Sequence, residues 1–235
     1  MQKRTKIITA SILAGVLALG ATAAIAGPLI YRDLVVGEAD AAPSVTARPT
    51  ETSAADDSAA PADLSGEWAV ADGSFAGYRV DEVLNGTDVT VTGRTEQVTG
   101  ELAVDGLTLT AASFTVDVAS IATDSGNRDD YFRSNAMRVD QYPTASFVLT
   151  EPITVDTAPA AGEVQQVTAT GELELAGVTR AVTVELEAVL NGAGGQVAGS
   201  IPITFADFGV EAPDLGFVSV EPDGFVEFSL ELERA

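Results

Sequence analysis

Three arginines, Arg128, Arg133 and Arg138, fall within eleven residues of a stretch, 64–235, that holds only seven in all. Such a cluster has two uses. It could meet an anionic headgroup at the mouth of a cavity, or it could close ion pairs with Asp124, Asp129, Asp130 or Asp140 beside it. Asp124, Asn127, Asp129 and Asp130 invite a calcium reading, but Gly126 and Arg128 stand at the third and fifth positions of that loop pattern, where oxygen ligands are required. A helix cap beside a solvated acidic face accounts for them better. Phe114, Phe147, Phe205 and Phe228 lie on apolar runs and supply either plain core or the lining of an apolar ligand cavity.

Most other chemistry is excluded by composition. The chain has no His and no Cys, and its two lysines, Lys3 and Lys6, precede everything that could fold. Without a base beside a nucleophile, neither a Ser-His nor a Ser-Lys hydrolase can be assembled, and thiolate and imidazole metal sites are gone. Phosphate loops of the Walker type lack their lysine. Among 28 carboxylates in 64–235, pairs at the roughly 5–9 Å of a glycoside hydrolase arise by accident. No catalytic residue, metal or cofactor is therefore expected. Seven arginines against those 28 carboxylates leave that stretch at −21, within a chain at −23. Such a surface repels nucleic acid, because the cations that neutralise phosphates are missing.

The N-terminus places this acidic bulk across a membrane. Lys3, Arg4 and Lys6 in the basic stub 1–6 precede an uncharged run, 7–31, whose 25 residues would span about 37 Å as a helix. A secretory signal cleaved after the Ala24-Ile25-Ala26 triplet is the competing reading, and it would make the protein secreted. The apolar run resumes through Pro28, Leu29, Ile30 and Tyr31 before Arg32, which favours an uncleaved single-pass anchor with the C-terminal part extracellular. The absence of Cys excludes a lipidated-cysteine anchor. Residues 32–63 read as a disordered acidic linker: from Gly37 to Asp63, 24 of 27 residues are Ala, Pro, Ser, Thr, Asp or Glu, with Val45 the one large aliphatic. Its root-mean-square reach is roughly 30 Å by flexible-chain scaling.

From residue 64 onward the pattern is strand after strand. Val226, Phe228, Leu230 and Leu232 alternate with Glu227, Ser229, Glu231 and Glu233, one face buried and one solvated. Val182 to Leu190 and Val167 to Leu175 follow the same rule. Asn85-Gly86, Asp105-Gly106 and Asn191-Gly192 are hairpin turns between apolar runs, which explains Asn85-Gly86-Thr87 better than a glycosylation acceptor does. The apolar parity switches between Leu107, Leu109, Ala111 and Phe114, Val116, Val118, which predicts a β-bulge near Ala112. Asp124 to Arg138 breaks the alternation and predicts one short helix, capped by Asp124 or Ser125. About nine strands with one helical excursion suggest an all-β antiparallel barrel rather than a sandwich, since closure removes the edges. A barrel of that size either fills its interior with side chains or holds one small ligand.

The stretch from Trp68 onward resembles the YceI-like family. The resemblance is carried by Trp68 with Ser74 to Glu82 (SFAGYRVDE), Gly93-Arg94-Thr95 followed by Val98-Thr99-Gly100, Phe114-Thr115-Val116-Asp117, Arg128-Asp129 before Tyr131-Phe132, Tyr142 to Phe147 (YPTASF), and Gly177-Val178-Thr179-Arg180. It implies a lipocalin-like barrel that binds a polyisoprenoid lipid, such as a quinone or polyprenol, in the membrane-anchored form of the family. Where relatives often place His or Asn before Gly-Val-Thr, this chain has Ala176. The resulting expectation is a non-enzymatic binder or carrier of an isoprenoid at the outer face of the cytoplasmic membrane. Its cavity would be lined by Phe114, Phe147, Phe205 and Phe228, with Arg128, Arg133 and Arg138 near the headgroup. The alternative is a filled barrel acting as a structural or protein-interaction module of the cell envelope.

Overall fold

The alternation resolves into ten strands in a computed structural model that describes residues 39–47 and 63–235. They are β1 (Gly66–Leu84), β2 (Thr87–Thr95), β3 (Val98–Asp105), β4 (Thr108–Asp117), β5 (Thr144–Leu149), β6 (Ile153–Thr154), β7 (Val164–Leu175), β8 (Val178–Asn191), β9 (Gly194–Thr204) and β10 (Val218–Arg234). Every pairing is antiparallel. Eight strands close a ring in the order β1, β10, β9, β8, β7, β5, β4, β3, with β3 returning to the first residues of β1. β2 pairs with the second half of β1, and β6 is a short addition to β4. The N-terminal apolar run 7–31 lies outside the described residues, and among the described residues no helix is long and apolar enough to cross a membrane.

Turn chemistry sets the connections. The three Asx-Gly pairs join β1 to β2, β3 to β4, and β8 to β9, and Asn85 (φ 51°) with Gly86 (φ 79°) supplies the two left-handed residues that a tight hairpin needs. The bulge is centred two residues earlier than the parity count placed it. Ala103 faces Ala111 while Val104 faces Leu109, so Thr110 is the extra residue, and its hydroxyl donates to the Ala103 carbonyl at 3.0 Å. Ala111 consequently points outward and Ala112 is buried.

The excursion 124–138 holds the expected short helix. A six-residue helix, α1 (Gly126–Tyr131), widens into a π turn over Phe132–Ala136, where Met137 N–H donates to Phe132 at 2.9 Å. The widening buries Met137 while the Phe132 ring stays stacked on Tyr78, with centroids 4.8 Å apart. Ser125 is the cap residue, but its side chain makes no cap hydrogen bond.

One end of the barrel carries Trp68, the β3–β4 and β8–β9 hairpins and the C-terminus. The other carries the β1–β2 turn, α1 and the segment leading into β10. We call these the Trp68 end and the helix end.

The outer face departs from the alternation at one place. Val189, Ala198, Glu227 and Ser229 have outward parity, yet they are 3%, 1%, 2% and 5% exposed. Residues 39–47, inside the stretch that composition marks as disordered linker, run diagonally across this face as a strap. Arg79 donates to the Asp40 carbonyl at 2.7 Å and Arg94 to the Ala41 carbonyl at 2.7 Å. Further along, Val45 N–H donates to Glu187 at 3.2 Å, Thr46 N–H to Gln196 at 2.7 Å, and Asn191 to the Thr46 carbonyl at 3.1 Å. Glu227 is thus no solvated strand exterior. It receives Arg79 in a two-pronged ion pair, Nε at 2.6 Å and a terminal nitrogen at 3.2 Å, with Arg94 at 3.9 Å.

Candidate ligand-binding site

The lumen is hollow. Two cavities share Ala76, Val116, Ala145, Leu175 and Val226 in their walls. The cavity toward the Trp68 end is about 280 Å³ and its wall includes Trp68, Leu102, Phe114, Phe147 and Phe228. The cavity toward the helix end is about 490 Å³ and includes Tyr78, Phe132, Phe205 and Phe208, with Glu82 and Arg128 among its few charged groups. The second volume lies within the roughly 300–1,000 Å³ of small-molecule sites and the first just below it. Phe114, Phe147 and Phe228 therefore stand in one cavity wall and Phe205 in the other.

Glycine keeps those rings out of the centre. A Cβ on Gly100 would stand 2.3 Å from Phe114, on Gly171 2.3 Å from Phe147, on Gly199 2.8 Å from Phe228, and on Gly224 2.9 Å from Phe205. Each ring thus lies over a Cβ-less position of an adjacent strand, flat against the wall. Aromatic side chains at ordinary strand positions stand roughly perpendicular to the sheet, so Phe114, Phe147 and Phe228, the three on strands, would otherwise project into the lumen. The four glycines are what the hollow lumen requires.

The polar groups gather at the helix end. Along β1, Ala76, Tyr78, Val80, Glu82 and Leu84 share inward parity, and all line the larger cavity. Glu82 is 5% exposed and accepts from Arg128 at 3.2 Å, and Arg128 also reaches Asp124 at 2.6 Å. Burial pushes the Tyr78 phenol well above its ordinary pKa, so it stays a neutral hydrogen-bond donor. The three arginines do not converge. Arg133 pairs with Asp130 at 2.9 Å, whereas Arg138 donates to the Ala176 carbonyl at 3.3 Å and lies over the Tyr142 ring. Only Arg128 of the three borders a cavity.

The acidic cluster is committed to protein partners. Asp124 holds Arg128, and the buried Asp129 accepts from Thr123 N–H at 2.9 Å and from its hydroxyl at 2.7 Å. Asp129, rather than Asp124 or Ser125, is therefore the carboxylate that fixes the turn into α1. Asp129→Ala is expected to lower stability by about 2 kcal/mol, since it strands a buried N–H and hydroxyl. A urea midpoint unchanged from wild type would show that water replaces the carboxylate.

Sequence reasoning passed over Tyr78, Phe132 and Glu82. For Tyr78 and Glu82 the signal was parity: a carboxylate at Glu82 on the same strand face as Ala76, Tyr78 and Val80 is out of place unless it meets a cation inside; Phe132, on the π turn, carried no such signal.

The YceI-like domain family matches residues 68–232. Among solved structures, a polyisoprenoid binding domain from Saccharophagus degradans implicated in plant cell wall breakdown is 21% identical with a TM-score of 0.59. That alignment covers 72% of this chain and 98% of the other. Burkholderia cenocepacia BcnA is 23% identical with a TM-score of 0.51, over 66% of this chain and 95% of its own. These likenesses show the fold. No curated protein matches the chain.

Proposed function

The chain belongs to the YceI-like family, and we propose that it binds a neutral isoprenoid lipid, a quinone or polyprenol, without chemistry, the tail in the lumen and the headgroup at the helix end. In this reading the run 7–31 anchors it in the cytoplasmic membrane, with the barrel outside as an isoprenoid store or carrier. The observation that carries the reading is the hollow lumen, predominantly apolar and without a charged side chain in its Trp68 half, with its charged groups, Glu82, Arg128 and Glu211, at the helix end. Each buried methylene contributes about 0.8 kcal/mol, so part of a polyprenyl tail suffices for tight binding. The description of the Saccharophagus degradans relative supports the same ligand class.

Charge argues for the neutral headgroup. Arg128 is the cation at the cavity, and Glu82 and Asp124 outweigh it within 3.2 Å. A phosphate placed there meets a net negative cluster, whereas a quinone carbonyl needs only a donor, which Arg128 and Tyr78 provide. The test is native mass spectrometry of residues 39–235 after incubation with a long-chain quinone, a polyprenol or a polyprenyl phosphate. One neutral lipid per chain is expected, with the phosphate weaker. A phosphate that outcompetes the quinone would overturn the charge argument, and no uptake of any of the three would overturn the binding reading.

A variant sharpens it. Glu82→Gln leaves Arg128 with one carboxylate fewer and is expected to narrow the discrimination against polyprenyl phosphate by about tenfold, about 1.4 kcal/mol. Quinone affinity should change little. Equal shifts for both lipids would mean that Glu82 acts on the shape of the cavity and not on its charge.

A further inference from the structure

Leu215 and Phe217 are the most exposed large apolar side chains of the described residues, at 54% and 58%, ahead of Val148, Val164 and Phe225 at 46%, 42% and 41%. Leu215 and Phe217 sit on one turn at the helix end. That turn is built, with Leu215 N–H donating to Val218 at 2.9 Å and Asn85 N–H donating to the Phe217 carbonyl at 2.7 Å. The second bond ties the turn to the β1–β2 hairpin. Leu215, Phe217 and Phe225 also border the larger cavity, so the exposed lip is continuous with the lumen wall. A lip whose backbone bonds are closed and whose side chains are bare is suited to an apolar interface.

The strap says which interface. Its N-terminal residues dock at Arg79 and Arg94, in the half of the barrel nearer the helix end, and its C-terminal residues at Gln196 and Asn191, near the Trp68 end. From Arg79 to Leu84 is five strand residues, about 17 Å, and from Arg79 back to Gly66 is about eleven ladder steps once the bulge between Ala71 and Phe75 is discounted, about 36 Å. Seven residues, 32–38, separate the end of the apolar run from the strap, and fully extended they reach about 25 Å. A docked strap therefore lets the helix end touch the bilayer that holds the run and keeps the Trp68 end from reaching it. Without docking, the chain would join the barrel at Asp63, whose carbonyl accepts from Arg234 at the Trp68 end. The barrel would then hang by the wrong end.

We infer that the lip of Leu215 and Phe217 seats on the surface of the anchoring bilayer, and that the strap 39–47 sets this orientation, so that the lumen opens against the lipid from which its ligand comes. This rests on the anchored, isoprenoid-binding reading. Glu211, Asp214 and Glu221 lie within four residues of the lip in sequence, so the favoured surface is zwitterionic rather than anionic.

The chain has no cysteine, which makes single-site labels simple. The full chain, carrying Leu215→Cys or Asp105→Cys with a fluorophore, is reconstituted into phosphatidylcholine vesicles containing a nitroxide-labelled lipid. The expected result is quenching at position 215 several-fold stronger than at 105, on the β3–β4 hairpin of the Trp68 end. Releasing the strap with Asp40→Ala, which removes the Asp40–Arg94 ion pair at 3.3 Å, together with Thr46→Pro, which removes the N–H donated to Gln196, should abolish that difference. Chain that floats with the vesicles but shows equal quenching at both sites overturns the inference alone, as does a difference that survives strap release. Chain that does not float overturns the anchored reading and the inference with it. A 215 label already shielded without vesicles would assign the lip to a second copy of the chain, and so overturn it too.

Discussion

Glu227→Ala is expected to lower the unfolding free energy by about 3–5 kcal/mol and to release the strap. Glu227 is 2% exposed and accepts both prongs of Arg79. Removing the carboxylate leaves Arg79, 18% exposed, without its counter-charge and beside a second guanidinium, Arg94, and a cation stranded in a partly desolvated wall costs far more than a surface ion pair is worth. Arg79 also donates to the Asp40 carbonyl, and Arg94, the second cation beside Glu227, donates to the Ala41 carbonyl. When the two guanidiniums lose the carboxylate that orients them, the strap loses its N-terminal attachment. Denaturant titration reads the first effect and limited proteolysis within 39–47 the second. Arg79→Met combined with Glu227→Leu separates charge from packing: it should recover most of the stability, because no buried charge is left unpaired, but not the protection of the strap. A Glu227→Ala protein with an unchanged midpoint would show that water reaches the pair.

That ion pair also marks where the sequence stops being legible. Period-two alternation identifies a face, not what covers it, so Glu227 in Phe-Val-Glu-Phe-Ser-Leu reads as one more solvated carboxylate. The strap that buries it comes from a segment whose Ala, Pro, Ser and Thr content gives no local signal. It docks through backbone groups, which composition does not register. The barrel itself was legible because hairpin turns and alternation are local properties, and so was the family, through the order of its short motifs. The bulge was found to within two residues, since parity tells that an extra residue exists but not which peptide yields; Thr110 does, through its hydroxyl bond to Ala103. Of the two uses open to the arginine cluster, ion pairing with neighbouring acids is what Arg128 and Arg133 show, and proximity in sequence is not convergence in space. Around α1 and the π turn, Arg128, Arg133 and Arg138 take three separate sets of partners. Whether the lumen is hollow or filled depends on strand glycines opposite phenylalanines, a cross-strand pairing that needs the register first.

Gly199→Ala tests that pairing most cleanly, and it is expected to weaken isoprenoid binding about 30-fold while leaving the barrel folded. The added methyl would stand 2.8 Å from Phe228 and 2.9 Å from Leu186, both side chains and both in the wall of the smaller cavity. They can yield only inward. At Gly100 and Gly171 the same methyl meets the carbonyls of Ser113 and Val148 at 2.6 Å and 2.5 Å, so alanine there would strain the sheet itself. Overpacking a dense core costs about 1–3 kcal/mol, but a ring that swings into open space escapes most of that. The loss falls on the ligand instead: two or three methylenes displaced from the lumen, at about 0.8 kcal/mol each, amount to roughly 2 kcal/mol of binding. A quinone titration gives the affinity and a thermal midpoint the stability, with Gly126→Ala, whose methyl meets nothing within 4 Å, as the control. Adding Phe228→Leu to Gly199→Ala removes the ring that the methyl displaces and should restore a large part of the affinity. If the double variant binds no better than Gly199→Ala alone, the ring is not what occupies the lumen, and the glycines serve the curvature of the wall rather than its hollowness.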